Sequence, residues 1–152
     1  MERQVVGREL APLLIELVDL ALTAKQAHWN VSGMWFRQLH TQLDELADDV
    51  RLWSDDVAER LTTIGVAADA RVETVASRTP FASFPGGSVD STKVAPLIVE
   101  RLGKIVENNQ TRIEKLGAVD LVSQELVIGI TGGLQKQEWM FAAEQPSQTP
   151  TP

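Results

Sequence analysis

The sequence has no cysteine and no tyrosine, and only two histidines among its 152 residues. Without thiols there is no disulfide framework and no thiolate metal site. Any metal must then be held by imidazole and carboxylate, a donor set that suits iron, manganese or zinc. A long uninterrupted hydrophobic run is also missing. The apolar stretch after "MERQVVGREL" is broken by Glu16 and Asp19, so neither a signal peptide nor a membrane span is predicted, and a soluble, cytoplasmic protein is expected. Basic tails are absent too: the first ten residues set Arg3 and Arg8 against Glu2 and Glu9, and the terminal "EQPSQTPTP" has no Lys or Arg. With a net charge of −7, this argues against a protein that coats itself in polyanion.

What is present is enough for one core. At 43% hydrophobic residues, a chain of this length is expected to form a single domain over 1–152. Leu10, Leu13, Leu14, Leu17, Ala21, Ala24 and His28 follow the spacing of an amphipathic helix, which places His28 on its inward face. "NVSG" then supplies a stop. A second helix follows, with Leu39, Leu43, Leu46, Val50, Trp53, Val57 and Ile64 as its seam and Gly65 as its end.

Residues 65–90, with "TPFASFPGG", predict a long connection with room for one short helix in "DARVETVA". Asp90 or Ser91 can cap a third helix, although Pro96 calls for a kink or a later start. Asp120 or Ser123 can cap a fourth, in which the paired Gly132 and Gly133 suggest close approach by a neighbour. The expected elements are helices at about 4–30, 35–64, 91–116 and 120–144, with a short tail over 145–152. Four long helices and one long crossover predict an all-α, ferritin-like four-helix bundle.

The two histidines gain meaning from the second helix. His40 and Asp44 are four apart, Asp55 and Glu59 are four apart, and eleven residues, about three turns, separate the pairs. All four share one stripe, yet Asp44 and Asp55 are about 16 Å apart along the axis, too far for one metal. The positions are symmetric about the midpoint between residues 49 and 50. A two-fold axis there sets His40 and Asp44 of one copy against Glu59 and Asp55 of another, making two equivalent shared sites. The same symmetry pairs Asp48 with Arg51, predicting reciprocal ion pairs between subunits. The "NVSG" break folds the first helix back so that His28 lies beside His40. Singly, each residue reads as a satisfied core histidine or a solvated acid; jointly, two imidazoles and three carboxylates favour a metal centre. Helical phase selects Asp55 over its neighbour Asp56.

The runs "AKQAHWNVSG", "LHTQLDELADDV" and "DDVAERLTTIG" resemble the Dps family, the bacterial mini-ferritins. His28, His40, Asp44, Asp55 and Glu59 keep every spacing of that family's motif, and the likeness extends from residue 10 to about 144. The resemblance implies a hollow homododecamer with ferroxidase centres at two-fold interfaces, His28, His40 and Asp44 coming from one subunit and Asp55 and Glu59 from its mate. It implies oxidation of Fe(II), preferentially by hydrogen peroxide and otherwise by dioxygen, with storage of ferric mineral that protects DNA from oxidative damage. Asp120 and Glu125 are candidates for lining the pores through which iron enters.

Two other readings compete. A nucleoid protein that condenses DNA, with secondary metal sites, conflicts with the missing Lys-rich arm. A di-iron enzyme with its site inside one bundle needs Glu-x-x-His motifs, and no Glu here is followed three residues later by His.

Overall fold

The computed structural model describes residues 2–144. It contains helices α1 (Glu2–Asn30), α2 (Phe36–Thr63), α3 (Val72–Arg78), α4 (Ser91–Gly117) and α5 (Leu121–Ala143). Two short strands, β1 (Val31–Ser32) and β2 (Val89–Asp90), pair in parallel, Val31 opposite Val89 and Ser32 opposite Asp90. The four long helices form the ferritin-like bundle, and α3 is the short helix of the connection. No helix among the described residues is long and apolar enough to cross a membrane.

The connectivity follows from what the crossover touches at each end. It leaves α2 where Val66 packs against Gly7, near the start of α1, and it ends where Val89 pairs with Val31, just past the end of α1. The segment therefore runs the length of the bundle, about 42 Å for the 28 residues of α2. Consequently α4 starts at the same end of the bundle as α2.

The seam of α1 and α2 is buried as its periodicity requires. Leu10, Leu13, Leu17, Leu20, Leu43, Leu46, Val50 and Val57 are fully enclosed, joined by Ile98, Leu102, Ile105 and Phe141 from the other two helices. At the end of α2 the seam continues through Leu61, four residues after Val57. Ile64 is only partly buried, because it stands just past the last turn as the C-cap of α2 rather than on its core face.

Prolines interrupt less than the sequence suggests. Pro12 lies inside α1 and Pro96 inside α4, both exposed. No later start occurs: α4 begins at Ser91, and Asp90 is its cap, accepting from the Thr92 amide at 2.9 Å. The amide missing at Pro96 leaves the Thr92 carbonyl without its helical partner at an exposed position, where water can serve it. The α5 cap is Asp120, which accepts from the Val122 amide at 3.1 Å. It also accepts from the Arg60 guanidinium and the Ser123 hydroxyl, each at 2.6 Å, and so ties the start of α5 to the last turn of α2. Burial alone would raise the Asp120 carboxyl, but hydrogen bonds from Ser123 and Arg60 bring it below the usual carboxylate range.

The paired glycines do different things. A Cβ on Gly133 would stand 2.3 Å from the Trp53 ring, so only glycine lets the indole cross the α5 backbone, whereas a Cβ on Gly132 would meet nothing within 4 Å. Gly133→Ala should therefore destabilise the fold by about 1–3 kcal/mol through overpacking. Gly132→Ala should leave stability unchanged or raise it by up to about 1 kcal/mol. Thermal denaturation of the two variants side by side checks this, and equal melting temperatures would contradict the close approach of Trp53.

Inside the bundle lies a polar network that connects three helices. Arg112 of α4 makes a two-point ion pair with Glu16 of α1 at 2.7 and 2.8 Å, and Asn108 adds a bond to the same carboxylate at 2.9 Å. Arg112 also donates to Asn109 at 2.9 Å, and Asn109 donates to Thr131 of α5 at 3.0 Å. Glu16 is only 3% exposed and Arg112 6%. A buried pair so fully hydrogen-bonded fixes the register of α1 against α4 and α5.

Candidate metal centre

His28 lies in the last turn of α1 and His40 in the second turn of α2. The turn between them works because Gly33 has φ +101°, a left-handed conformation open to glycine, while β2 holds β1 from the other side. A Cβ at Gly33 would also stand 2.8 Å from the Asp90 carboxylate, so the same residue provides both the bend and the close approach of the crossover.

The result is a reciprocal histidine pair. The rings stack with centroids 3.7 Å apart and planes 13° from parallel. The His28 Nδ1 faces the His40 carbonyl at 2.5 Å, and the His40 Nδ1 faces the His28 carbonyl at 2.7 Å. A carbonyl can only accept, so each Nδ1 carries a proton, and in the neutral ring this leaves the Nε2 lone pair for a metal. Phe36 stacks on His40 at 5.1 Å and restrains that ring further.

Asp44, one turn beyond His40, accepts a bond from the Lys25 ammonium of α1. The hydrogen bond from Lys25 outweighs burial and holds the Asp44 carboxyl below the usual carboxylate range, with smaller contributions from the Lys25 charge and from His28 and His40. The spacing of the histidines and carboxylates does not itself point to Lys25. The signal was available, since it precedes His28 by three residues and so shares its face of α1. The Lys25 ammonium also lies 5.9 Å from the Trp29 ring centroid.

Asp55 and Glu59 are exposed on the same helix and do not reach the histidine pair within one chain. Among the described residues, no three His, Asp or Glu side chains converge in a geometry that could hold a metal ion. Asp48 and Arg51 are exposed and have no ion-pair partner among the described residues. Asp56 lies instead in a groove with Trp53 and Glu125, between α2 and α5, which leaves Asp55 as the acid on the stripe. Leu22 and Trp29 on α1 and Leu52 on α2 are large apolar residues left exposed, and the Lys25 to Asp44 ion pair joins their two helices into one surface. Among the described residues the bundle interior offers no alternative site, because the carboxylate buried there, Glu16, is already paired with Arg112.

Of the two candidate pore acids, Glu125 is exposed and Asp120 is committed to its cap and ion pair.

Comparison with known proteins identifies the family. The ferritin-like domain family matches residues 9–145. The chain is 35% identical over 137 residues to the DNA protection during starvation protein of Mycolicibacterium smegmatis, covering 85% of this chain and 70% of that one. It is 31% identical over 138 residues to the fine tangled pili major subunit of Haemophilus ducreyi, covering 91% of this chain and 73% of the relative. A solved structure of Dps from Microbacterium arborescens in the high iron form superposes with a TM-score of 0.90 at 31% identity, covering 93% of each chain. A match over nearly the whole chain, together with the unbroken spacing of the five-residue motif, places the protein in the Dps family of ferritin-like proteins.

Proposed function

We propose that two copies of this chain pair about an axis crossing α2 near residues 49 and 50 and build two ferroxidase centres. Each uses His28, His40 and Asp44 of one subunit with the partner subunit's Asp55 and Glu59. The observation that carries this reading is the histidine pair, whose Nδ1 atoms are both occupied by backbone carbonyls and whose Nε2 atoms are free. Half of a site is preorganised and the other half cannot come from the same chain. Asp48 and Arg51, exposed beside the axis, exchange ion pairs across it.

Iron is the substrate and the stored product. His28 and His40 offer Nε2 to Fe(II), and Asp44 exchanges its Lys25 bond for the metal. The added carboxylates favour Fe(III), the harder ion, over Fe(II). Two Fe(II) ions each give one electron to one hydrogen peroxide; its O–O bond breaks, and with two protons it leaves as two waters. Dioxygen is the slower oxidant. Hydrolysis of Fe(III) then deposits ferric mineral inside a homododecameric shell, which removes both iron and peroxide from contact with DNA. The pore through which iron enters rests on Glu125 more than on Asp120, whose carboxylate is already engaged. Protection of this kind needs no contact with DNA, in keeping with a chain of net charge −7, and is expected of a cytoplasmic protein.

The test couples size to activity. Light scattering should give a large, uniform assembly that turns Fe(II) and peroxide into ultraviolet-absorbing ferric species without precipitation. Dissociation to monomers should abolish fast oxidation. A monomeric chain that oxidises iron at full rate would remove the shared site and the Asp48 to Arg51 exchange together.

A further inference from the structure

Arg101 projects from α4 beneath the crossover. Its guanidinium carbon is 5.5 Å from the ring centroids of both Phe81 and Phe84, and its Nη2 donates to the Ala82 carbonyl. These contacts tie the crossover to α4, but they engage one of five N–H donors. The residue is 6% exposed, its Nε is buried without a hydrogen-bond partner, and no carboxylate forms an ion pair with it among the described residues. Asp19 and Glu100 act on it only at longer range. An enclosed cation with so little direct compensation has room for a carboxylate bonded to its free donors.

A recess of about 480 Å³ opens beside this group, walled by Pro80, Phe81 and Leu97, with Lys104 on its lining. That volume lies within the usual range for small-molecule sites, which combine apolar walls with a few fixed polar groups. Glu100 and Glu107 also line it, and Glu107 holds Lys104 at 2.8 Å. Two carboxylates so close disfavour a multiply charged anion. The apolar walls call for a ligand with an apolar body, and the planar guanidinium fork matches a carboxylate.

We propose that this recess binds a small organic monocarboxylate, an acid group on an apolar body, with Arg101 as its anchor. The site is separate from the iron chemistry and stands or falls on its own test. Benzoate serves as the probe, titrated calorimetrically at fixed ionic strength into the iron-free, assembled full-length protein. The expected result is one saturable site per chain, weakened at least about 10-fold by Arg101→Met, with inorganic phosphate at equal concentration failing to displace benzoate. Leu97→Trp, which fills the recess while keeping the Arg101 side chain, should abolish binding even if Arg101→Met does not fold. No saturable binding, unchanged affinity in either variant, or displacement of benzoate by phosphate would overturn the proposal.

Discussion

Replacing Asp55 by Ala is expected to slow oxidation of Fe(II) by peroxide at least about 100-fold while leaving the fold unchanged. Loss even of a group that only supports a ligand costs 10–100-fold in metal affinity or activity, and Asp55 is assigned as a ligand itself. The side chain is exposed and makes no hydrogen bond or ion pair among the described residues, so its removal should shift stability by no more than about 0.5 kcal/mol. His40→Ala should have the same effect on rate for a different reason. It removes one Nε2 and also the ring stack that restrains His28, whose own Nδ1 bond to the residue 40 carbonyl remains. Asp56→Ala provides the control: its carboxylate lies in the groove with Trp53 and Glu125 and should leave the rate intact. Stopped-flow absorbance of the three variants at equal iron and peroxide decides the matter. Wild-type rates in Asp55→Ala would sink the ligand assignment, and an equal loss in Asp56→Ala would show that the helical phase was misread.

The largest effect on stability is expected at Arg112. Truncating it to Ala leaves the Glu16 carboxylate buried and without its cation, at a cost of about 3–5 kcal/mol. For a chain of this size that corresponds to a fall in melting temperature of about 6–20 °C in the iron-free protein. The double variant Glu16→Leu with Arg112→Met removes both charges and keeps volume, and should recover most of the loss, to within about 1 kcal/mol of the parent, because no lone charge remains inside. If Arg112→Ala melts within 2 °C of the parent, measured by circular dichroism, the network does not hold α1 against α4. The flanking Asn108 and Asn109 give the double variant a further reading, since each loses a partner that apolar groups cannot replace, whereas Thr131 keeps its bond from Asn109.

The parts of this structure legible in the sequence are those governed by helical phase. The seam from Leu39 to Val57, the shared stripe of His40, Asp44, Asp55 and Glu59, and the inward position of His28 all follow from 3.6 residues per turn. The break at "NVSG" could be read from residues that favour turns. The distant pairings could not. Glu16 and Arg112 are 96 positions apart, and nothing in the local pattern distinguishes Glu16 from a solvated acid interrupting an apolar run. The β1 and β2 bridge joins residues 58 apart through strands of two residues each, too short to show any alternation. Lys25 meets Asp44 only because the hairpin of α1 and α2 brings them together, although its spacing from His28 was a usable clue. The cap of α4 at Asp90 was among the alternatives, but the tolerance of Pro96 depends on its facing solvent, which a helical pattern alone did not settle.

The central claim is that each site is built from two copies of the chain, and mixed assembly tests it most directly. His40→Ala and Asp55→Ala are each inactive alone. When the two are unfolded together in equal amounts and reassembled, half of the dimers pair one variant with the other, and each such dimer contains one intact site and one doubly damaged site. The account predicts recovery of about a quarter of the parental oxidation rate. A site contained within one chain would be broken in every subunit of the mixture, and reassembly with no recovered activity, confirmed as mixed by mass spectrometry, would contradict the account.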